Sequence, residues 1–264
     1  MNGERENLLR NIVIVLYRPM FGRNIGAVAR SIHTMGFGYL RLVAPPERFE
    51  QDAFPIAGEA EAVLREAEIR STLADAISDC PLVAGTTARP GGWRQGLVRP
   101  QELAPSILGV ARHANVALVF GKEDSGLDNE AISLCHRLMT IPTDPHGLKS
   151  INLAQSVLLL GHELWQTPCL AGAHQFQDRA PNAQQNAFID RLMDLLLRVS
   201  YFTSGIPAYR ILPFRRLFGR AIPSVAEIEA WSTFVEYAER GLQPQLLERK
   251  LPAHTDLILS TEDY

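Results

Sequence analysis

The sequence predicts an α/β protein: a parallel sheet covered by helices, followed by a small C-terminal helical extension. Short, continuous apolar runs, of which IVIVL at residues 12–16 is the clearest, are typical of strands buried on both faces. Up to residue 166 such runs alternate with segments that carry apolar residues at helical spacing, which indicates β-α units and a parallel sheet. Helical patterns near 188–200 and 224–240 indicate the extension.

The first part of the chain reads as a β-α-β opening followed by further alternation. The predicted elements are a strand at 12–16, a helix at 24–35, a strand at 39–43, mostly helical residues over 59–79 and a strand at 81–88. Asn24 is expected to cap the first helix, and Gly36 and Gly38 to end it. Ser71 is a candidate cap within the helical region that follows.

The second part continues the same alternation. It comprises a loop at 91–100, a helix near 101–112, a strand at 116–123, a helix near 129–136, a strand at 137–142 and a long apolar helix that begins after residue 150. Asp128 and Ser150 are the expected caps of the last two helices. A polar stretch at 167–187 reads as a linker. We therefore divide the chain into a sheet domain at 1–166, this linker, and a helical extension at 188–264, in which a basic stretch broken by proline and glycine lies between two helices.

Composition limits the partners and the compartment. The 264 residues carry 26 basic and 29 acidic side chains, a net charge of −3, so an RNA partner would need a local basic surface. Cys80, Cys135 and Cys169 are scattered, which indicates a reducing compartment and gives no metal-ligand spacing. The N-terminal residues are unlike a signal peptide, and no apolar run approaches the roughly 20 residues that span a bilayer. We expect a cytoplasmic protein without a membrane partner.

Three turns stand out as candidate ligand sites. Each follows a strand: GTTAR at 85–89, FGKEDSGL at 120–127 and IPTDPHGLKSIN at 141–152. The carboxyl ends of parallel strands meet at one edge of a sheet, so these turns are expected to lie together, and their small residues let backbone approach a ligand. The dinucleotide, P-loop, hydrolase-elbow and zinc-protease fingerprints are all missing from the sequence.

The segments RNIGAVAR at 23–30, FGKEDSGL at 120–127 and IPTDPHGLKSINLAQSV at 141–157, in this order, resemble the SPOUT superfamily of RNA methyltransferases. The resemblance covers residues 11–166 and is greatest to the TrmH-type 2′-O-ribose branch. Within that branch it is greatest to the TrmJ-type tRNA enzymes, which methylate a pyrimidine in the anticodon loop. It implies a C-terminal trefoil knot, S-adenosylmethionine as cofactor, a homodimer, and RNA rather than DNA as partner.

The resemblance also assigns residues, position by position. It implies cofactor contacts from Thr86, Thr87, Ala88, Gly121, Ile141, Ser150 and Ile151, and a catalytic group of Asn24, Arg30, Glu123, Ser150 and Asn152. Arg30 is either the general base for the ribose hydroxyl or an electrostatic clamp, because a guanidinium rarely releases its proton. Gly26, one turn before Arg30, is expected to let a phosphate or ribose approach. Taken alone, Arg30 and Glu123 could equally be solvated side chains and Ser150 a simple cap.

Arginines supply the candidate RNA contacts. Arg18, Arg23, Arg89 and Arg94 lie near the expected site, and Arg215 and Arg216 lie in a stretch at 198–220 where arginines interleave with aromatic residues. That stretch could equally be a packed helix or a dimer contact. The resulting expectation is 2′-O-methylation of RNA, with the pyrimidine at position 32 of tRNA as the target. The alternatives are ribosomal RNA as substrate, a non-catalytic RNA-binding protein on the same fold, and an unrelated doubly wound α/β enzyme that uses a nucleotide cofactor.

Overall fold

Seven parallel strands form a single sheet, which confirms the predicted α/β class. The computed structural model describes residues 2–89, 91, 94, 96–144, 146–147, 150–168, 178–202 and 208–242. The strands are β1 (Ile12–Tyr17), β2 (Tyr39–Val43), β3 (Glu68–Arg70), β4 (Leu82–Thr86), β5 (Leu97–Val98), β6 (Val116–Phe120) and β7 (Arg137–Met139). They lie in the order β3-β2-β1-β6-β4-β7-β5. The order reverses between β1 and β6, and the loops that follow these two strands meet there.

Helices cover both faces of the sheet. They are α1 (Asn2–Arg10), α2 (Gly22–Met35), α3 (Phe49–Ala57), α4 (Glu61–Arg65), α5 (Leu73–Ala76), α6 (Pro100–Ala111), α7 (Asn129–Ser133) and α8 (Leu153–Gln166). Alternate residues of β1 enter two cores: Ile12, Ile14 and Leu16 pack with α2, α3, α6 and α8, whereas Val13, Val15 and Tyr17 pack with α5 and α7. Burial on both faces explains the continuous apolar run of this strand.

Two glycines allow α2 to pack closely between α3 and α8. A Cβ atom at Gly26 would overlap the carbonyl oxygen of Ala53 in α3, and one at Gly161 in α8 would overlap the side chain of Met35. Ser31 adds a hydrogen bond to the carbonyl oxygen of Ala154 at 3.0 Å. Gly26 therefore serves helix packing, and the expectation that it opens a path for substrate is wrong.

Three sequence-based caps differ from the structure. Helix α2 begins at Gly22 with Phe21 as its cap residue, so Asn24 lies inside its first turn. Thr72, not Ser71, caps α5 by accepting a hydrogen bond from the Asp75 amide at 3.1 Å. Asn152, not Ser150, caps α8. The expected caps at Gly36 and Asp128 are present.

Strand β3 replaces part of the helical region expected over 59–79. It pairs with β2 at the edge of the sheet, and Arg41 of β2 lies opposite Glu68 of β3. Arg41 is buried, and its guanidinium binds Asp79 at 2.5 and 3.1 Å and Glu68 at 3.2 Å. This ion-pair cluster stabilises β3, although Ile69 in its centre is exposed.

The C-terminal part forms a third apolar cluster from α9 (Asn182–Arg198), α10 (Ala208–Ala221) and α11 (Val225–Arg240). Helix α9 begins within the predicted linker, and α10 occupies the basic stretch that the sequence reading took to be broken by proline and glycine. Residues 169–177 of the predicted linker and 243–264 of the predicted extension lie outside the described residues. The division into sheet domain, linker and extension stays a prediction.

A buried histidine joins the extension to the sheet domain. His136 Nδ1 accepts a hydrogen bond from the Val83 amide at 3.2 Å, and Gly219 of α10 packs directly on its side chain. Burial lowers the pKa of His136 to about 4, and the opposing influence of the Asn182 side chain is smaller. The residue is therefore neutral at physiological pH. Within the described ranges, no helix is long and apolar enough to cross a membrane.

Candidate active site

A cleft of about 310 Å³ opens at the carboxyl ends of β4, β6 and β7. All seven residues expected to contact a cofactor line it: Thr86, Thr87, Ala88, Gly121, Ile141, Ser150 and Ile151. Three chain segments that are distant in sequence therefore converge as the parallel-sheet argument predicts. We call this cleft the first cavity.

The segment after β6 forms a tight hairpin-like turn along the first cavity. Lys122 and Gly126 exchange two backbone hydrogen bonds of 3.2 and 2.8 Å, and Gly126 has a φ of 72°. A Cβ atom at Gly121 would overlap the backbone at Gly126 and Leu127. Gly121 is thus required by the turn itself, which also presents Lys122, Asp124 and other residues to the cavity that the sequence reading did not assign.

Glu123 fastens this turn to the start of α2. Its carboxylate accepts hydrogen bonds from the Met20 amide at 2.7 Å, the Phe21 amide at 3.4 Å and the Asn24 side-chain amide at 2.9 Å. The first amides of a helix lack intrahelical partners and carry the positive end of the helix dipole. A carboxylate supplied by a distant loop therefore lies at the start of α2, where it binds the two amides that directly precede the helix.

Asn24 and Asn152 extend this contact to the third segment. Asn152 Nδ2 lies 3.5 Å from Asn24 Oδ1, while Asn152 Oδ1 accepts hydrogen bonds from the Ala154 and Gln155 amides at 2.9 and 3.4 Å. Glu123, Asn24 and Asn152 thus form one polar chain beside the first cavity. Ser150 lines the cavity without capping the helix.

Arg30 lies apart from these residues. It is exposed and is not among the residues that line the first cavity. It lies six positions after Asn24 in α2, which corresponds to about 9 Å along the axis and places the two side chains on different faces. In the described part of the chain the Arg30 guanidinium has no hydrogen bond or ion pair. The structure therefore brings together Asn24, Glu123, Ser150 and Asn152, but not Arg30.

Four arginines surround the β1–α2 and β6–α7 loops. Arg89 donates to the Asp124 carbonyl at 3.2 Å, and Arg94 donates to the Leu127 carbonyl at 2.9 Å, so both hold the loop between β6 and α7. Arg18 is half exposed and lies 3.5 Å from Asp128. Arg23 is exposed and its guanidinium stacks 4.9 Å from the Phe21 ring centroid.

Arg215 lies largely inside the protein and not on an outer basic face. Its side chain is only 15% exposed, donates to the Ser133 carbonyl at 3.1 Å and lies 3.8 Å from Asp190. Burial lowers the pKa of its guanidinium. The arginine and aromatic side chains of α10 alternate because one face of this helix packs inward. Arg216 is partly buried.

Comparison with known proteins identifies the class. The SpoU rRNA Methylase family matches residues 11–162. Two relatives named tRNA (cytidine/uridine-2′-O-)-methyltransferase TrmJ, from Klebsiella pneumoniae subsp. pneumoniae and Yersinia pestis, are 33% and 32% identical; each aligns with 84% of this chain and with 93% and 88% of its own length. The crystal structure of TrmJ from Z. mobilis ZM4 has a TM-score of 0.72 and 30% identity, covering 86% of this chain and 98% of that one. A methylase family protein from Neisseria gonorrhoeae has a TM-score of 0.62 and 32% identity, over 70% of this chain and 95% of that one.

The sheet, the first cavity and this match define an RNA methyltransferase: the chain belongs to the SpoU rRNA Methylase family. Within it, the chain is similar to proteins named TrmJ over most of its length. The predicted family and enzyme class are thereby confirmed.

Proposed function

We propose that the protein transfers a methyl group from S-adenosylmethionine to the 2′-hydroxyl of a pyrimidine in the tRNA anticodon loop, with position 32 as the target. The similarity to TrmJ proteins over 84% of the chain supports tRNA as the substrate. The observation that carries the proposal is that seven residues assigned to the cofactor from sequence all line one cavity.

The first cavity fits S-adenosylmethionine. Its size lies at the lower end of the range for small-molecule sites, and it combines apolar walls with hydroxyl and main-chain groups. Ile141 and Ile151 would pack on the adenine, whereas the main chain and hydroxyls of Thr86, Thr87 and Ser150 would hold the polar parts. When bound, the cofactor supplies an electrophilic methyl group on a sulfonium. The protein must then position the ribose oxygen and assist loss of its proton.

Glu123, Asn24 and Asn152 fix the geometry beside the cavity. The Glu123 carboxylate accepts hydrogen bonds from two backbone amides and the Asn24 side chain, so we assign it the role of a positioning residue. We assign Arg30 the role of an electrostatic clamp. A guanidinium rarely releases its proton and is therefore a poor base, but it can stabilise a phosphate and the developing alkoxide.

Arg30 is proposed to reach the cavity of a second copy of the chain. Its position outside the lining of its own cavity supports this arrangement, as does exposed apolar surface around α2 and α8. Met20 and Phe21 before α2, and Leu158 and Leu159 on α8, are 39–45% exposed. A homodimer would cover such side chains and complete each site with an arginine from the partner.

Methyl transfer from labelled S-adenosylmethionine into total tRNA that lacks its native modifications tests the reaction and the substrate. Nuclease digestion and mass spectrometry locate the label. We expect a 2′-O-methylated pyrimidine in the anticodon loop. Label in ribosomal RNA only would preserve the chemistry and reject the substrate. Failure to bind S-adenosylmethionine in calorimetry would instead favour a non-catalytic RNA-binding protein.

A further inference from the structure

A second cavity, of about 400 Å³, lies at the same edge of the sheet, beyond the carboxyl ends of β1, β2 and β3. Helix α7 and helix α10 of the extension form its other walls. It shares no lining residue with the first cavity, and the mechanism above does not use it. The carboxyl edge of a parallel sheet beside the point where strand order reverses is where α/β proteins bind ligands.

The lining combines an apolar floor with a few charged and hydroxyl groups. The apolar part includes Tyr17, Val43, Leu73, Leu134, Ile211 and Leu212. Two arginines and one glutamate, Arg18, Arg215 and Glu130, give the lining a net charge of +1 (two minus one). A ligand with a flat apolar part and an anionic group matches this combination.

Both arginines belong to the lining of the second cavity. The Nε atom of Arg215 is buried and has no hydrogen-bond partner among the described residues. Arg18 is 46% exposed, makes a 3.5 Å contact with Asp128, and its guanidinium stacks 4.9 Å from the Tyr17 ring centroid. A buried donor without a partner is costly, which favours a shift of the Arg215 side chain toward an anionic ligand in the cavity. The ring of Tyr17, in the apolar part of the lining, offers a planar surface for a base.

The backbone at the mouth of the second cavity is unusual. Arg18 and Ala44, which directly follow β1 and β2, have φ values of 53° and 47°, in the left-handed region that non-glycine residues rarely adopt. A hydrogen bond from the Arg18 amide to the Val43 carbonyl, at 2.8 Å, joins the two turns. These conformations turn both chain segments away from the strand ends and leave the space open.

We propose that the second cavity binds a nucleotide unit, with the base against the apolar wall and the phosphate on Arg18 and Arg215. The loop between β6 and α7 lines the first cavity with Gly121–Gly126 and reaches the second through Asp128, which holds Tyr17 and Arg18. A nucleotide bound there is therefore placed beside the loop that builds the methyl-transfer site. The same chemistry has two sources: a free mononucleotide, or a nucleotide of the RNA substrate away from the methylated one.

Calorimetry with CMP, UMP, AMP and GMP tests the proposal directly. Saturating S-adenosylhomocysteine is added to occupy the first cavity. Comparison of CMP with cytidine, which lacks the phosphate, measures how much the phosphate contributes to the binding affinity. Ala74→Trp fills the second cavity from its exposed rim, and Arg18→Gln removes one cation. Ala62→Trp, at an exposed helical position outside the cavity, is the matched control. Circular dichroism establishes that each variant is folded.

We expect at least one mononucleotide to bind, and Ala74→Trp and Arg18→Gln each to weaken it about tenfold or more, with no change in Ala62→Trp. The Kd for tRNA, measured by filter binding, distinguishes the two sources of the nucleotide. If this Kd also rises in Ala74→Trp and Arg18→Gln, the bound unit is a nucleotide of the RNA. If it is unchanged, the bound unit is a free mononucleotide. If no mononucleotide binds but the two cavity variants bind tRNA more weakly, the result also supports an RNA nucleotide as the ligand. If no mononucleotide binds and the tRNA Kd is unchanged in Ala74→Trp, the proposal is wrong. None of these measurements depends on methyl transfer.

Discussion

The Asn24 side-chain amide donates to the Glu123 carboxylate across 2.9 Å, although the two residues are 99 positions apart in sequence. This bond joins the turn after β6 to the first turn of α2. It links the loop that lines the first cavity to the helix that carries Arg30. Changes at Glu123 should therefore affect both stability and catalysis.

Replacing Glu123 with glutamine should lower the free energy of unfolding by about 1–3 kcal/mol, because one oxygen acceptor cannot serve the Met20, Phe21 and Asn24 donors and a new amide donor faces them. The kcat for methyl transfer should fall with it. Urea denaturation and steady-state kinetics measure the two effects. Glu59→Gln, at an exposed position in the turn after α3, is the control and should change neither quantity.

Asn152→Ala should cost about 1 kcal/mol of unfolding free energy, because Asn152 caps α8 through two amides. Ser150→Ala should cost much less stability, since Ser150 makes no capping bond. Thermal unfolding of the two variants compares them. An equal loss of stability in both would show that Ser150 contributes to the helix start.

Asp79→Asn should destabilise the fold by on the order of 2 kcal/mol, because the buried Arg41 guanidinium loses its bidentate partner. Burial alone would raise the pKa of Asp79, but hydrogen bonds from Arg41 and Asn115 lower it to about 2. A carboxyl with a depressed pKa stabilises the fold above its unfolded pKa, near 4, and loses this contribution as pH falls toward 2. Acid titration of unfolding should show that loss in the wild-type protein, and Asp79→Asn should lack it.

His136 should make the fold sensitive to mild acid. Its pKa is about 4 in the folded protein and about 6.5 when unfolded, so the unfolded chain binds an extra proton between these values. The unfolding free energy should therefore fall with decreasing pH across this window, by up to about 1.4 kcal/mol per unit. Urea denaturation at pH 7 and pH 5 measures the slope. His136→Gln should reduce it, whereas His33→Gln, at an exposed position, should not.

The parallel sheet and the convergence of the three loops could be predicted because they follow from local patterns. The buried run of β1 and the Asp128 cap both have signatures within a few residues. Strand β3 could not be predicted, because its centre, Ile69, is exposed and its stability comes from the ion pairs of Arg41.

At the site, too, the sequence-based predictions that were wrong concern residues whose surroundings are set by long-range contacts. Asn24 is of a residue type that often caps helices. In this fold the acceptor at the start of α2 is instead the Glu123 carboxylate, which comes from another segment. Gly26 lies one turn before Arg30, but a glycine is required there because the backbone of α3 packs against it. Arg215 belongs to a basic stretch, yet the helix turns it inward. Sequence spacing places residues on an element, and only tertiary packing decides what each face meets.

We propose that one active site combines the cavity of one copy with Arg30 of another. Mixed dimers of Arg30→Ala and Ala88→Trp, co-expressed with different tags and purified through both, test it most directly. Each homodimer should lose methyl transfer by about 100-fold or more, through loss of the clamp or filling of the cavity. The mixed dimer should regain about half of the wild-type activity, because one intact cavity meets one intact Arg30. A mixed dimer as inactive as the two homodimers would contradict this proposal and would indicate that Arg30 acts at the cavity of its own chain.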